Sequence, residues 1–225
     1  MRGMYTLLWA LLLWNTPTWA QPPQVEFQTD AGSFVIELYP DKSPLNVANF
    51  MAYVNDGFYN GTVFHRAVKG FVLQGGGLGP DMKHKQTREP VALESNNGLE
   101  HLPGTVAIAR GESLDSATSQ FFINLTHNRF LSFQRMEPGY AGYTIVGRVI
   151  RGLDVVERMA ATPTTVNGRL KDVPLQPPLV MQASVLSEPV MADIIPVPVA
   201  EVEKPAKPKK KAPAKTVKPA KPATP

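Results

Sequence analysis

Thr62–Gly77 reads TVFHRAVKGFVLQGGG. Two apolar runs, Val63–Phe64 and Phe71–Val72–Leu73, flank a turn signal at Lys69–Gly70, and this pattern predicts a β-hairpin. Arg66 closes the first run, and Gln74 closes the second just before three glycines. Such a hairpin holds a permanent cation and an amide beside aromatic surface. A lone arginine in that setting is usually a structural ion-pair partner, so the stretch has to be read against the rest of the chain.

Upstream, Val25–Thr29 and Phe34–Leu38 alternate apolar and polar residues around the turn signal Asp30–Ala31–Gly32–Ser33, which predicts another hairpin. Ser43 as N-cap and Pro44 at N1 open a helix. Its apolar face is Val47, Phe50, Met51 and Val54, and Asn55–Asp56–Gly57 ends it. Downstream, Gly75–Arg88 reads as loop. Strands are predicted at Thr105–Ala109, Phe121–Leu125, Thr144–Val149 and Leu179–Leu186, with an amphipathic helix from Gly152 to Ala160. Many short strands, glycine turns and two helices predict a mainly β fold, a closed barrel with helices capping its ends.

The 225 residues carry a net charge of +4, unevenly spread. Residues 21–187 hold 14 Lys and Arg against 15 Asp and Glu, a balance of −1; residues 188–225 hold 8 Lys against 4 acids, a balance of +4. Residues 1–20, MRGMYTLLWALLLWNTPTWA, have a positive start, a ten-residue apolar run from Tyr5 to Trp14 and a small residue at Ala20. That is the layout of a secretory signal peptide. The rival is an uncleaved anchor, but a membrane-spanning helix needs about 20 apolar residues. Cleavage would start the mature chain near Gln21 and place it in the periplasm. Residues 188–225 have 9 prolines, no aromatic residue and a lysine-rich end, a composition expected to stay disordered. For an exported chain the plain expectation for this basic tail is a solvated spacer with no specific partner; the sharper alternative is binding to anionic envelope polymers, rather than to nucleic acid. The expected organisation is therefore signal peptide 1–20, globular domain 21–187 and tail 188–225, with a monomer as the default.

Several chemistries are excluded by what the sequence lacks. There is no cysteine, hence no disulfide and no thiolate nucleophile or metal ligand. The four histidines, His65, His84, His101 and His127, form no metal-binding spacing, so no metal is expected. No GxSxG elbow occurs, and Gly75–Pro80 is followed by neither GKS nor GKT. Asn60–Gly61–Thr62 and Asn124–Leu125–Thr126 are glycosylation sequons.

Four segments together change the weight given to Arg66. FHRAVKGFVLQGG at 64–76, GTVAIAR at 104–110, SATSQFFINL at 116–125 and YTIVGRVIRGLDVV at 143–156 resemble, in order and spacing, the cyclophilin-type peptidyl-prolyl isomerases. The likeness spans about residues 25–186, and the SATSQFFIN form is similar to the bacterial periplasmic branch. It implies an eight-stranded antiparallel barrel with two capping helices, and rotation about Xaa-Pro bonds in proline-containing polypeptides without a cofactor. It also implies Arg66 as catalytic residue and Phe71, Phe122 and Leu131 as the walls that hold the proline ring. Gln74 and Gln120 would support Arg66 and the peptide backbone, and the main chain at Ala109 and Arg110 would pair with the peptide. Val72, Tyr143 and Phe130 stand where methionine, histidine and tryptophan are commoner, and that tryptophan is a cyclosporin contact in sensitive members. The implied role is folding of exported proteins. The alternatives are a non-catalytic chaperone that holds proline segments and an envelope-tethered interaction protein dominated by its tail.

Overall fold

In the computed structural model, residues 21–193 are described; the expected leader and the chain from residue 194 onward lie outside the described residues. Within them the order is β1 (Gln24–Thr29), β2 (Gly32–Leu38), α1 (Pro44–Asn55), β3 (Arg66–Val68), β4 (Val72–Gly75), β5 (Thr105–Ile108) and β6 (Phe121–Asn124). Then come β7 (Ile145–Arg151), α2 (Leu153–Ala160), β8 (Thr164–Asn167), β9 (Leu170–Pro174) and β10 (Val180–Val185). Past Ser187 the chain stays attached: Val190 N–H donates to Gln24 Oε1 at 2.7 Å and Asp193 N–H to the Ile150 carbonyl at 2.8 Å.

Eight strands form one antiparallel sheet in the order β10-β1-β2-β7-β5-β6-β4-β3. The expected closed barrel is not formed, because the sheet curls through 225° and stops. The reason lies at β3, which has three residues and makes one ladder, to β4. The gap towards β10 is spanned by the chain before it, through a Val63–Leu179 bridge and a bond from Phe64 N–H to the Pro178 carbonyl at 2.9 Å. A separate β8–β9 hairpin packs beside β3 instead. That hairpin was not expected, although Asn167–Gly168, where β8 ends and its turn begins, is a strong turn signal.

One face of the sheet carries the core. Phe27, Phe34, Phe50, Tyr59, Phe64 and Phe121 are buried and in mutual ring contact, as in the stacked Phe27–Phe34 pair at 5.3 Å. α1 adds Val47, Phe50, Tyr53 and Val54, and α2 adds Val155, Val156, Met159 and Ala160. Met51, expected in the core, is only partly buried. Pro44 opens α1 as expected, but Ser43 does not cap it. Its hydroxyl turns inward and donates to the Ile145 carbonyl at 2.6 Å. The Glu94 carboxylate takes over, accepting the N–H groups of Leu45 at 3.1 Å and Asn46 at 2.8 Å, where a negative charge also suits the helix dipole.

Candidate active site

Successive side chains in a strand point to opposite faces, so each strand that feeds the core also furnishes the other face. Register then decides what meets there. Arg66 lies opposite Gln74, Gln74 opposite Phe122, Phe122 opposite Ala107, and Ala107 opposite Ile145. These five residues make one cross-strand row over β3, β4, β6, β5 and β7. Val72, Ala107, Phe122 and Ile145 form a small apolar cluster of their own, with Phe71, Leu99, Ala109, Leu131 and Tyr143 packed against it. Above it opens a cleft of about 140 Å³ lined by Arg66, Phe71, Val72, Gln74, Ala109, Arg110, Phe122, Leu131 and Tyr143.

Nine of the residues singled out from the sequence therefore line one cleft, and the other two adjoin it. Gln120 Oε1 accepts a hydrogen bond from Gln74 Nε2 at 3.0 Å. Its close approach needs glycine, since a Cβ on Gly77 would fall 2.4 Å from Gln120 Cγ, while Gly76 has φ +80° and sits against Phe121. This explains the glycine run after Gln74 without a bound phosphate. Phe130 is 64% exposed and stacks on Phe71 at 5.8 Å, at the rim. Leu131 ends a 3-10 turn, Arg129–Leu131, that brings both residues to the mouth. Ala109 N–H is committed to the Gln120 carbonyl at 2.8 Å. The Arg110 side chain is anchored too: Nε donates to the Gly142 carbonyl at 2.9 Å and the guanidinium lies 5.2 Å from the Tyr143 ring centroid.

Arg66 is half-buried, with its guanidinium 5.9 Å from the Phe71 ring centroid. Its ion-pair partner among the described residues is Asp172 of β9, at 3.5 Å from Nε to Oδ2, while the two glutamines bond to each other.

A buried polar network supports the cleft from below, and nothing in the sequence marked it. His101 is fully buried, stacks on Phe122 at 5.8 Å, and has Nε2 3.3 Å from the Tyr143 carbonyl. A carbonyl only accepts, so Nε2 carries the proton and Nδ1 accepts from Asn124 Nδ2 at 3.1 Å. Asn124 Oδ1 accepts from Asn128 Nδ2, which also donates to the Phe71 carbonyl at 3.1 Å. Burial pushes the His101 imidazole down to about 4, so it is neutral around pH 7. His65, beside Arg66 in sequence, is buried on the other side of the strand and is also lowered to about 4 by burial.

A larger hollow, about 530 Å³, lies between the β1–β2 turn and the end of α2, lined by residues including Asp30, Arg158, Met159 and Leu175. Size does not make it the better candidate, because the smaller cleft is where a cation, amides and aromatic walls converge.

Comparison with known proteins shows the family of the chain. Residues 24–185 match the family described as cyclophilin type peptidyl-prolyl cis-trans isomerase/CLD. A peptidyl-prolyl cis-trans isomerase of Acinetobacter baylyi is 45% identical over 163 residues, covering 72% of this chain and 85% of that protein. Peptidyl-prolyl cis-trans isomerase B of Escherichia coli is 43% identical over 161 residues, covering 72% of this chain and 98% of that protein. A Cryptosporidium parvum cyclophilin type peptidyl-prolyl cis-trans isomerase, crystallised in the presence of the dipeptide Ala-Pro, shares the fold. Its TM-score is 0.63 at 23% identity, over 73% of this chain and 99% of that one.

Proposed function

The chain belongs to the cyclophilin-type peptidyl-prolyl cis-trans isomerases, and on that premise we propose that the bond turns in the cleft beside Arg66. The observation that carries this reading is the cross-strand row that sets Arg66, Gln74 and Phe122 side by side over an apolar floor.

An Xaa-Pro bond rotates over a barrier of about 18–20 kcal/mol set by amide resonance, and unaided it takes tens to hundreds of seconds. No bond breaks, so the reaction asks for neither nucleophile nor metal. At the twisted transition state the nitrogen loses its double-bond character, becomes pyramidal and accepts a hydrogen bond that the planar amide refuses. A guanidinium is always charged and offers donors in a rigid fork. Placed beside the prolyl nitrogen, Arg66 stabilises the twisted form more than the planar one, which is what lowers the barrier. A 10⁴-fold acceleration needs about 5.5 kcal/mol. One charge-assisted hydrogen bond supplies about 1.5–3 of that. The remainder falls to Phe71, Val72, Phe122 and Leu131, which hold the ring while the acyl side turns, and to the exclusion of water. Tyr143 and Arg110 close one side of the cleft, and Phe130 extends it at the rim. Gln74 and Gln120 present amides to the peptide backbone, and Ala109, whose N–H is committed to Gln120, presents its carbonyl.

The ligand class is a proline-containing polypeptide, the class to which the Ala-Pro dipeptide named with the Cryptosporidium parvum structure belongs. Replacing Arg66 with alanine is expected to lower kcat/KM on an Ala-Pro peptide at least tenfold, measured by NMR exchange, with the near-UV circular dichroism unchanged. Undiminished activity would remove Arg66 from the reaction.

The leader-like sequence of residues 1–20 supports exported proteins as clients and a periplasmic location. Fractionation of the producing cell is expected to find the protein outside the cytoplasm, shortened to a start near Gln21. A full-length cytoplasmic product would refute this assignment.

A further inference from the structure

We propose that Asp172 is a positioning residue for Arg66, fixing the guanidinium so that its terminal nitrogens serve the cleft. This rests on Arg66 being the group that acts on the prolyl bond.

Three observations meet at Asp172. First, β8 and β9 pair in one register at Thr164–Pro174 and Thr165–Val173, and in another at Asn167–Leu170. Lys171 and Asp172 together therefore face Val166 alone, which is a β-bulge. Bulges bend a strand locally and re-aim a side chain, and they concentrate next to active sites. Second, Asp172 has φ +58°, one of two positive values among the described non-glycine residues. Third, the re-aimed carboxylate stands 3.5 Å from Arg66 Nε.

The consequence for Arg66 follows from its donor set. An arginine has one N–H on Nε and two on each terminal nitrogen. A carboxylate at the Nε edge pins the fork from outside the cleft and leaves the terminal donors for the substrate. Arg66 is otherwise a long, half-exposed side chain whose other polar or aromatic contact among the described residues is the Phe71 ring, since the two glutamines bond to each other. The pairing is half-exposed on both partners, so its effect is of the size of a surface ion pair and is screened by salt.

A simpler reason for an aspartate at position 172 is the backbone, because Asp and Asn adopt a left-handed conformation more readily than most residues. Asn accepts the same φ without the charge, so Asp172→Asn separates the two reasons, and Asp172→Gly does so again with no side chain at all. The experiment measures kcat and KM on an Ala-Pro peptide for wild type, Asp172→Asn, Asp172→Gly, Arg66→Ala and Arg66→Ala combined with Asp172→Asn. The expected result is a fall in kcat of about two- to fivefold in both Asp172 variants with KM unchanged. The loss should vanish in the Arg66→Ala background and shrink in about 1 M salt, where the Debye length is about 3 Å. Wild-type kcat in Asp172→Asn alongside a crippled Arg66→Ala overturns the proposal alone, and so does an equal loss in the Arg66→Ala background. Full activity in Arg66→Ala overturns the reading of the cleft, and the proposal with it.

Discussion

Phe121 and Phe122 are adjacent in β6 and belong to different halves of the molecule. Phe121 is fully buried and meets Phe27, Phe50, Tyr59 and Phe64 ring against ring. Phe122 faces the other way, between the cleft and the polar network of His101, Asn124 and Asn128. The first face is closed by two helices and is supported mainly by apolar contact. The second is a thin apolar layer, wet on one side and held from below by hydrogen bonds. One strand thus supplies both, and the contrast predicts that damage to the two faces is felt in different measurements.

The largest expected effect is on the closed face. Phe121→Ala should lower unfolding stability by roughly 3–5 kcal/mol in urea titration, through lost burial and the cavity left behind. Its kcat/KM, scaled to the folded fraction, should stay close to wild type. Loss of activity without loss of stability would dissolve the distinction between the faces.

A smaller effect should come from acid, through two buried histidines, His65 and His101, and the share that belongs to His101 comes through the polar support of the cleft face. His101 and His65 bind a proton below about 6.5 when unfolded but only near about 4 when folded. The unfolded state therefore holds more protons between these values. Stability is intact above about pH 6.5 and falls as pH drops towards about 4, by at most about 1.4 kcal/mol per pH unit per histidine. Urea midpoints at pH 7 and pH 5 measure the fall. In a His65→Gln background the residual slope belongs to His101, and a flat midpoint there would remove His101 from the account.

Much of the hairpin at the centre of this chain was legible because its signals are contiguous. Val63–Phe64, Lys69–Gly70 and Phe71–Leu73 lie within a dozen residues; the turn and the second strand form where that pattern puts them, whereas the first strand starts past Phe64, at Arg66. Most cleft residues, though not Leu131, lie in the four matching segments and could be named from them, but not arranged. The row from Arg66 to Phe122 depends on a pairing between β4 and β6 across a long stretch of chain, and no local pattern encodes it. Closure was misjudged for a related reason. Strand number and length can be read from alternation, whereas total curl is a sum of small twists and bulges over every pair. Asp172 was invisible, since Lys171–Asp172–Val173 reads as an ordinary polar edge until the bulge and Arg66 are seen beside it. His101 was weighed as a metal ligand and set aside, yet its use is to be a neutral hydrogen-bonding plate beneath Phe122.

The alternation of faces along β4 has a further consequence for how this chain can vary. Val72 and Gln74 serve the cleft, while Leu73 is buried in the aromatic core. Gaining or losing a single residue within the strand would exchange the two sets, sending the amide of Gln74 into hydrocarbon and Leu73 to the peptide. A change of two residues preserves the parity. Length variation in this segment is therefore expected in even steps, inside the turn at Lys69–Gly70, or where a bulge absorbs the odd residue, so that the heritable freedom of the strand is quantised by the pleat.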